Sequence, residues 1–404
     1  MIKASNNSVS FENTEIAFLP KSDSELLKTY LLFKAMNNNW LVEKGMSLTK
    51  FALKIKLPGV KSVLKYSLFK QFCGGESIND CQKTIELLSK FGVGTILDYS
   101  VEGEKTDSGF DKTEQETVQT ILQASKSKDI PFGVFKVTGL AKFSVLEKIS
   151  AQLQQKNILL THEDQESWEK TCKRVENICQ TAHDHQIKIL IDGEETWIQP
   201  AIDLLAYQMM EKFNKKTPII YNTYQMYVAD KLHQLKEDLQ IATEKGYFLG
   251  AKLVRGAYME KERERAKRFA YPDPIQPNKE ACDRDFDASV NFCLENIEKI
   301  GFMAASHNEK SNLELINLMK NKGIDSKHPH IFFAQLFGMS DHISYNLAKN
   351  TYNVSKYLPY GPVRVVMPYL FRRASENTSI KGQSSREYLL VRKEMIRRKK
   401  MKNA

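Results

Sequence analysis

At 404 residues, with 42% hydrophobic and 27% charged side chains, the chain has an ordinary globular composition and the length for one large domain with additions. No apolar run approaches the ~20 residues of a membrane span. The start, MIKASNNSVSFENTEI, has neither a signal-peptide core nor an Arg-rich transit pattern, so a cytoplasmic product is expected. The net charge of +10 is uneven, because Arg386–Ala404 holds eight Lys/Arg against two Glu.

Residues 1–90 read as a helical arm. SDSELLKTYLLFKAMNN opens on capping residues with apolar positions at helical spacing, and SLTKFALKIKLPGVKSVLKYSLFKQFCGG continues in that style to Gly74-Gly75. From Gly92 the pattern changes to short apolar runs: GTILDYS, FGVFKVTGL, KILIDGEE, PIIYNTYQMY, FLGAKLVRG, FMAASHN, IFFAQLFGM and NVSKYLPYG. Amphipathic stretches such as SWEKTCKRVENICQTAHDH separate them, which is the signature of parallel strands covered by helices. Eight such runs predict an α/β fold of the TIM type, a closed (βα)8 barrel over residues 91–380, followed by a basic tail at 381–404. A dinucleotide fold is disfavoured, since Gly92-Val93-Gly94 lacks a third glycine and precedes its strand. The six cysteines form no CxxC pair, and the His183/His185 and His328/His330 pairs lack ligand partners, so no metal site is expected. Nucleic acid is likewise not expected, for want of a zinc-finger or RRM signature.

In such a barrel the chemistry sits at the C-terminal ends of the strands. Lys136 lies within run two, Asp192-Gly193-Glu194-Glu195 ends run three, and Tyr221-Asn222-Thr223-Tyr224 ends run four. Lys252 and Arg255 belong to run five, Ser306-His307-Asn308 to run six, Gln335 to run seven and Tyr357 to run eight. An unpaired buried cation is costly, so lysines inside apolar runs point to a functional centre. Beyond the last strand, MPYLFRRASEN is expected to start a helix behind Pro368 and to lean over the barrel mouth. Tyr369, Arg372, Arg373 and Glu376 then share one face, and paired arginines can clamp a carboxylate bidentately. In the tail, Tyr388, Val391 and Met395 oppose a basic helical face that suits an anionic membrane surface or an acidic partner; a solvated helix is the plain alternative.

KLVRGAYMEKERERA, with YLPYGPVRVVMPYLFRRASEN further on, resembles the proline dehydrogenases, flavoenzymes of proline catabolism. The likeness runs from about Gly92 to Asn377 and includes Asp192 and the ASHN of run six; the arm and tail lie outside it. It implies a monofunctional barrel enzyme with FAD at the strand ends. Such an enzyme oxidises L-proline to 1-pyrroline-5-carboxylate by hydride transfer from C5 to flavin N5, and a membrane quinone takes the electrons. By the same resemblance, Lys252 stands beside flavin N5 and, with Asp192, forms the catalytic pair. Arg255, Gly256, Ala257 and Tyr258 serve the ribityl-pyrophosphate side, while Glu194, Asn222, Ser306, His307 and Asn308 supply further cofactor contacts. Arg372 and Arg373 take the proline carboxylate, with Lys136 near it and Asp192 paired to these cations. Glu376, on the cofactor side, holds Arg373. Tyr357 and Tyr369 wall the ring, with Leu253 and Tyr258 nearby. None of these is an obvious general base. Hydroxyproline is the alternative substrate within the family, and a Schiff-base lyase using Lys136 or Lys252 is a remoter alternative. The tail is the candidate for peripheral contact with the inner face of a membrane.

Overall fold

Apolar runs buried on both faces must satisfy their backbone groups by pairing. In the computed structural model of the chain they do so as eight parallel strands. The structure describes residues 9–38, 64–99, 105–379 and 383–403, with scattered positions between 40 and 59; at 375–379 and 383–385 it describes the backbone alone. Most of the SLTKFALKIKLPGVKSVLKYS reading therefore lies outside the described residues.

Among the described residues the chain opens with α1 (Thr14–Phe18) and α2 (Asp23–Met36), then a π-helical turn at Lys65–Phe69 that runs into a short helix at Lys70–Phe72, and α3 (Ile78–Lys90). The strands are β1 (Gly94–Tyr99), β2 (Phe132–Phe135), β3 (Lys188–Ile191), β4 (Ile220–Gln225), β5 (Leu249–Val254), β6 (Ile300–Ala305), β7 (Ile331–Leu336) and β8 (Val354–Tyr360). They close into a barrel in chain order. Between them run α4 (Asp107–Ala124), α5 (Phe143–Leu153), α6 (His162–Asp184), α7 (Gln199–Phe213), α8 (Lys231–Glu244), α9 (Met259–Phe269), α10 (Lys279–Glu295), α11 (Glu309–Asn321) and α12 (Asp341–Lys349). After β8 come α13 (Val363–Ser379) and α14 (Gln383–Asn403). Reciprocal capping boxes, Ser22 with Glu25, Ser77 with Asp80 and Thr161 with Asp164, set the starts of α2, α3 and α6.

Two compact units emerge: Met1–Thr95 with Gln335–Ala404, and Ile96–Ala334. These limits differ from the expected boundaries at 90 and 380, because arm and tail share one unit.

In the second unit, strand register decides which residues face inward. Phe132 stands opposite Lys188, Leu190 opposite Tyr221, and Thr223 opposite Lys252. Phe132 meets Phe332 edge-on at 4.7 Å and Tyr221 at 5.5 Å, with the Lys188 ammonium 5.3 Å from the Phe332 ring. Gly250 lets β5 approach β4, for an added Cβ would lie 2.1 Å from the Ile220 carbonyl oxygen.

In the first unit, α14 runs antiparallel to α2. Asp23 meets Arg398 at 2.9 Å and Lys402 at 2.5 Å, and Tyr30 stacks on Tyr388 with their hydroxyls 3.0 Å apart. Leu390 and Val391 are buried against Ala17, Phe18 and Leu26. Glu12 pairs with Arg386 and Lys393, and Glu394, itself buried, holds Arg397 and Arg398 at 2.8 Å each. The stripe of Tyr388, Val391 and Met395 thus turns inward on the arm, and much of the basic face is already paired. Among the described residues, no helix is long and apolar enough to cross a membrane.

Leu390→Ala should cost about 2–5 kcal/mol, as expected for a fully buried leucine. The measurement is the urea midpoint, with an unchanged slope if the rest of the fold is intact.

Candidate active site

Period-two alternation carries the inward face of β2 from Phe132 through Val134 to Lys136, and that of β3 from Lys188 through Leu190 to Asp192. On β5 the inward residue near the end is Lys252, opposite Thr223. The three charges meet. Lys136 Nζ lies 2.5 Å from Asp192 Oδ2, and Lys252 donates to Asp192 Oδ1. Lys252 and Asp192 are buried, and Lys136 keeps 18% of its side chain exposed. Burial pushes the Asp192 carboxyl up, but the two ammonium groups outweigh it and hold it down at about 2. Burial also pulls the Lys252 ammonium down, opposed by Asp192 and more weakly by Asp98 of β1. A junction of this kind is a local concentration of positive charge held in place by one carboxylate.

Two residues further on, the segments that follow these strands meet again, Thr138 lying in a 3-10 turn at Val137–Gly139. The Thr138 N–H donates to Glu194 Oε1 at 3.0 Å, and its hydroxyl donates to Oε2. Glu194 is only 3% exposed, and burial raises its carboxyl to about 7 against the hydrogen bonds from Thr138. The Glu194 backbone is fixed as well: its N–H donates to Gln199 Oε1 at 2.8 Å, and its carbonyl accepts from Gln225 Nε2 at 2.6 Å.

A second cluster forms where β5 and β6 end. Arg255 donates to Asp283 of α10 at 2.6 Å, to the Ser306 hydroxyl at 2.7 Å and to the Ser311 hydroxyl at 2.9 Å, with its guanidinium 4.3 Å from the Phe286 ring. Asn308 caps α11, accepting from the N–H groups of Lys310 and Ser311. His307 is half-buried between Ser306 and Asn308. Ser311, which accepts from Arg255, has its own hydroxyl proton to donate. A guanidinium, serine hydroxyls and the positive end of a 13-residue helix make a donor set matched to phosphate. The residues therefore fit a phosphate-bearing cofactor at this end of the barrel.

The tertiary structure turns two expected residues away from the barrel interior. Asn222 faces the helix layer, where its amide donates to Asp203 of α7 at 2.8 Å and its carbonyl accepts from the Thr223 N–H; it does not point into the barrel. The residue on the Thr223 face is Gln225, which sequence reasoning passed over. Leu253 is likewise turned outward, opposite Tyr224, whose hydroxyl reaches Asp238 of α8. At Gly256, φ is +134° and an added Cβ would lie 2.2 Å from the Tyr227 ring, so the glycine is demanded by packing within the fold. Ala257 is exposed and Tyr258 half-buried at the start of α9, where Lys261 lies over its ring at 5.3 Å. Thr138 was also missed, because no charge or motif marks it until the chain brings Glu194 against it.

The remaining expected residues belong to the first unit. Tyr357, Tyr369 and Arg373 are buried and Arg372 is half-buried. The Arg373 guanidinium lies 5.3 Å from the Tyr369 ring, as positions four apart on a helix allow. The Glu376 side chain lies outside the described residues. Helix α13 begins at Val363, not behind Pro368, which sits inside it and removes one main-chain hydrogen bond.

A family profile described as "Proline dehydrogenase" matches residues 81–386. "Proline dehydrogenase 1, mitochondrial" of Dictyostelium discoideum is 34% identical, over 98% of this chain and 76% of its own length. "Hydroxyproline dehydrogenase" of Xenopus laevis is 32% identical, over 94% of this chain and 88% of its own. The solved structure of proline utilization A from Bdellovibrio bacteriovorus, inactivated by N-propargylglycine, superposes with a TM-score of 0.70 at 19% identity. That match covers 92% of this chain but only 38% of that larger protein, and it shows a shared fold.

Asp192→Asn should cost about 3–5 kcal/mol at pH 7, because it leaves the buried Lys252 and the partly buried Lys136 without their counter-charge. The wild-type carboxyl stands at about 2 against an ordinary 3.8. Its ionisation therefore stabilises the fold above about pH 4, and that contribution is lost as pH falls through about 2. Urea unfolding should show the gap between wild type and variant narrowing across that window.

Proposed function

The chain belongs to the proline dehydrogenase family, and from that premise we propose that it oxidises L-proline to 1-pyrroline-5-carboxylate with bound FAD and delivers the electrons to a membrane quinone. The observation that carries this reading is the buried junction of Lys136, Asp192 and Lys252 at the strand ends. Two lysines held at the strand ends suit a reaction that places negative charge at the barrel's end. When bound, FAD supplies the acceptor for the hydride that leaves C5. Lys252 sets the electrostatics on that side, and Arg255, Ser306 and Ser311 hold the phosphates.

Arg372 and Arg373 bind the substrate carboxylate, and Tyr357 and Tyr369 pack on its ring. The carboxylate charge does not change as hydride departs, so the arginines contribute alike to ground state and transition state. Arg372→Met should therefore raise KM for proline at least about tenfold, equivalent to ~1.4 kcal/mol, with flavin content near normal. Steady-state kinetics with an artificial acceptor make the measurement, with hydroxyproline as the comparison substrate. Denatured wild-type protein should release FAD. Release of FMN, or an unchanged KM in the variant, would overturn the respective assignment.

Membrane contact belongs to the outward face of α14, not to a loose tail. Leu389 and Ile396 are 53% and 47% exposed there, one helical face with the exposed Arg392 and Lys399. Leu389→Ser/Ile396→Ser should weaken binding to vesicles containing anionic lipid, and salt should weaken it in the wild type. Salt-insensitive binding, or binding that survives the double substitution, would remove this face from consideration.

A further inference from the structure

Proline carries its reacting nitrogen as an ammonium ion, close in basicity to a lysine at about 10.4. In that form the nitrogen has no lone pair with which to form the C=N bond. A proton must leave first, and the residues placed above do not take it. Asp192 is committed to two lysines and held at about 2, and Lys136 and Lys252 are its partners. We propose that Glu194, reached through the hydroxyl of Thr138, accepts the proton that the substrate ammonium loses before hydride departs. The proposal rests on the proline reading given above.

Geometry supports it first. The ends of β2 and β3 are clipped twice in parallel, Lys136 to Asp192 and then Thr138 to Glu194, each partner two residues along its strand end. Glu194 is almost wholly enclosed, whereas Thr138 is half-buried, so of the two bonded residues the threonine keeps the greater exposure. Because that hydroxyl donates to Glu194, its oxygen presents lone pairs in other directions. A proton arriving on the threonine oxygen releases the threonine's own proton to the carboxylate.

The surroundings tune the acceptor. Lys136 of the β2 end attracts the ionised form, and Glu195 repels it. Glu195 is itself paired with Lys261 of α9 at 2.8 Å and feels Glu262 of the same helix. Gln199 of α7 and Gln225 of β4 bond the Glu194 backbone and leave its carboxyl to Thr138. Burial then places the carboxyl at about 7, where an acceptor is ionised often enough to act at neutral pH and basic enough to take a proton.

The step balances. The N–H proton passes to the Thr138 oxygen, and the threonine's proton passes to Glu194. The C5–H electron pair leaves as hydride to the flavin, the nitrogen lone pair forms C=N, and the product departs as the iminium ion. Glu194 returns its proton to solvent before the next cycle.

The test is the pH dependence of flavin reduction by proline, in wild type and in Glu194→Gln, Thr138→Val and Thr138→Ser. The wild-type rate should rise with pH through about 7, as Glu194 ionises. Glu194→Gln and Thr138→Val should lower the rate at pH 7 by on the order of 10²-fold and move the rise toward the range of the free amine, so that the gap closes above about pH 10. Thr138→Ser, which keeps the hydroxyl, should restore most of the rate at pH 7. Independently of turnover, difference infrared spectroscopy of the substrate-free protein should show a protonated-carboxyl band titrating near 7 and absent in Glu194→Gln. An equal loss at every pH would reduce Glu194 to a structural clip, and an unchanged wild-type limb in Glu194→Gln would assign the proton elsewhere; either overturns the proposal, as would a band that titrates far from 7. Wild-type flavin that proline fails to reduce at any pH would instead defeat the proline reading itself.

Discussion

Two ammonium groups cannot be taken out of water near one another unless a carboxylate stands between them, and Asp192 meets that requirement for Lys136 and Lys252. The junction ties the ends of β2, β3 and β5 together, so strand register and charge placement are one problem. A register slip of one residue on any of these strands would turn its charge to the opposite face and leave the others uncompensated. The same junction explains why two carboxyls two residues apart behave so differently. Asp192 has two cations and stays ionised well below the usual range, while Glu194 has a threonine and is pushed up to about 7. Neither residue type nor burial alone separates them; their hydrogen-bond partners do.

The first unit solves a like problem with different parts. Lys356 of β8 is fully buried; it donates to the Met339 carbonyl and lies 2.9 Å from Asp341, the first residue of α12. Lys21, from the arm, completes the set at 3.1 Å from the same carboxylate. Glu387 of α14 accepts from the Ser340 N–H at 2.5 Å, at the start of that helix. Arm and final helix are thus joined to the polar framework around β8. Tyr357 follows Lys356 directly, and its carbonyl accepts from the Phe337 N–H at 2.8 Å. The buried lysine and the aromatic wall of the proposed substrate pocket therefore occupy opposite faces of one strand, each held by the segment between β7 and α12.

Charge balance also changes the meaning of the basic C-terminus. Counted along the sequence, it is a polycation; in the fold, Glu12, Glu15, Asp23 and Glu394 take up Arg386, Lys393, Arg397, Arg398 and Lys402. The outward face of helix α14 is narrow, with Leu389 and Ile396 alternating with the exposed Arg392 and Lys399.

By itself the sequence determined the barrel, because eight apolar runs separated by amphipathic helices leave few other ways to bury both faces of every strand. It also determined that Lys136, Asp192 and Lys252 are special, since charge inside an apolar run must find a partner. The face shared by Tyr369 and Arg373 was legible too, from spacing alone. Only the tertiary structure decided which way Asn222, Leu253 and Gln225 point: a strand buried on both sides carries no polar-apolar alternation to mark its inner face. Thr138 was silent for a related reason, being an ordinary threonine until the chain brings Glu194 against it. The tail's partners in the arm, such as Glu12 for Arg386 and Asp23 for Arg398, lie 374 and 375 residues away along the chain, and a pairing made through space leaves no trace in local periodicity.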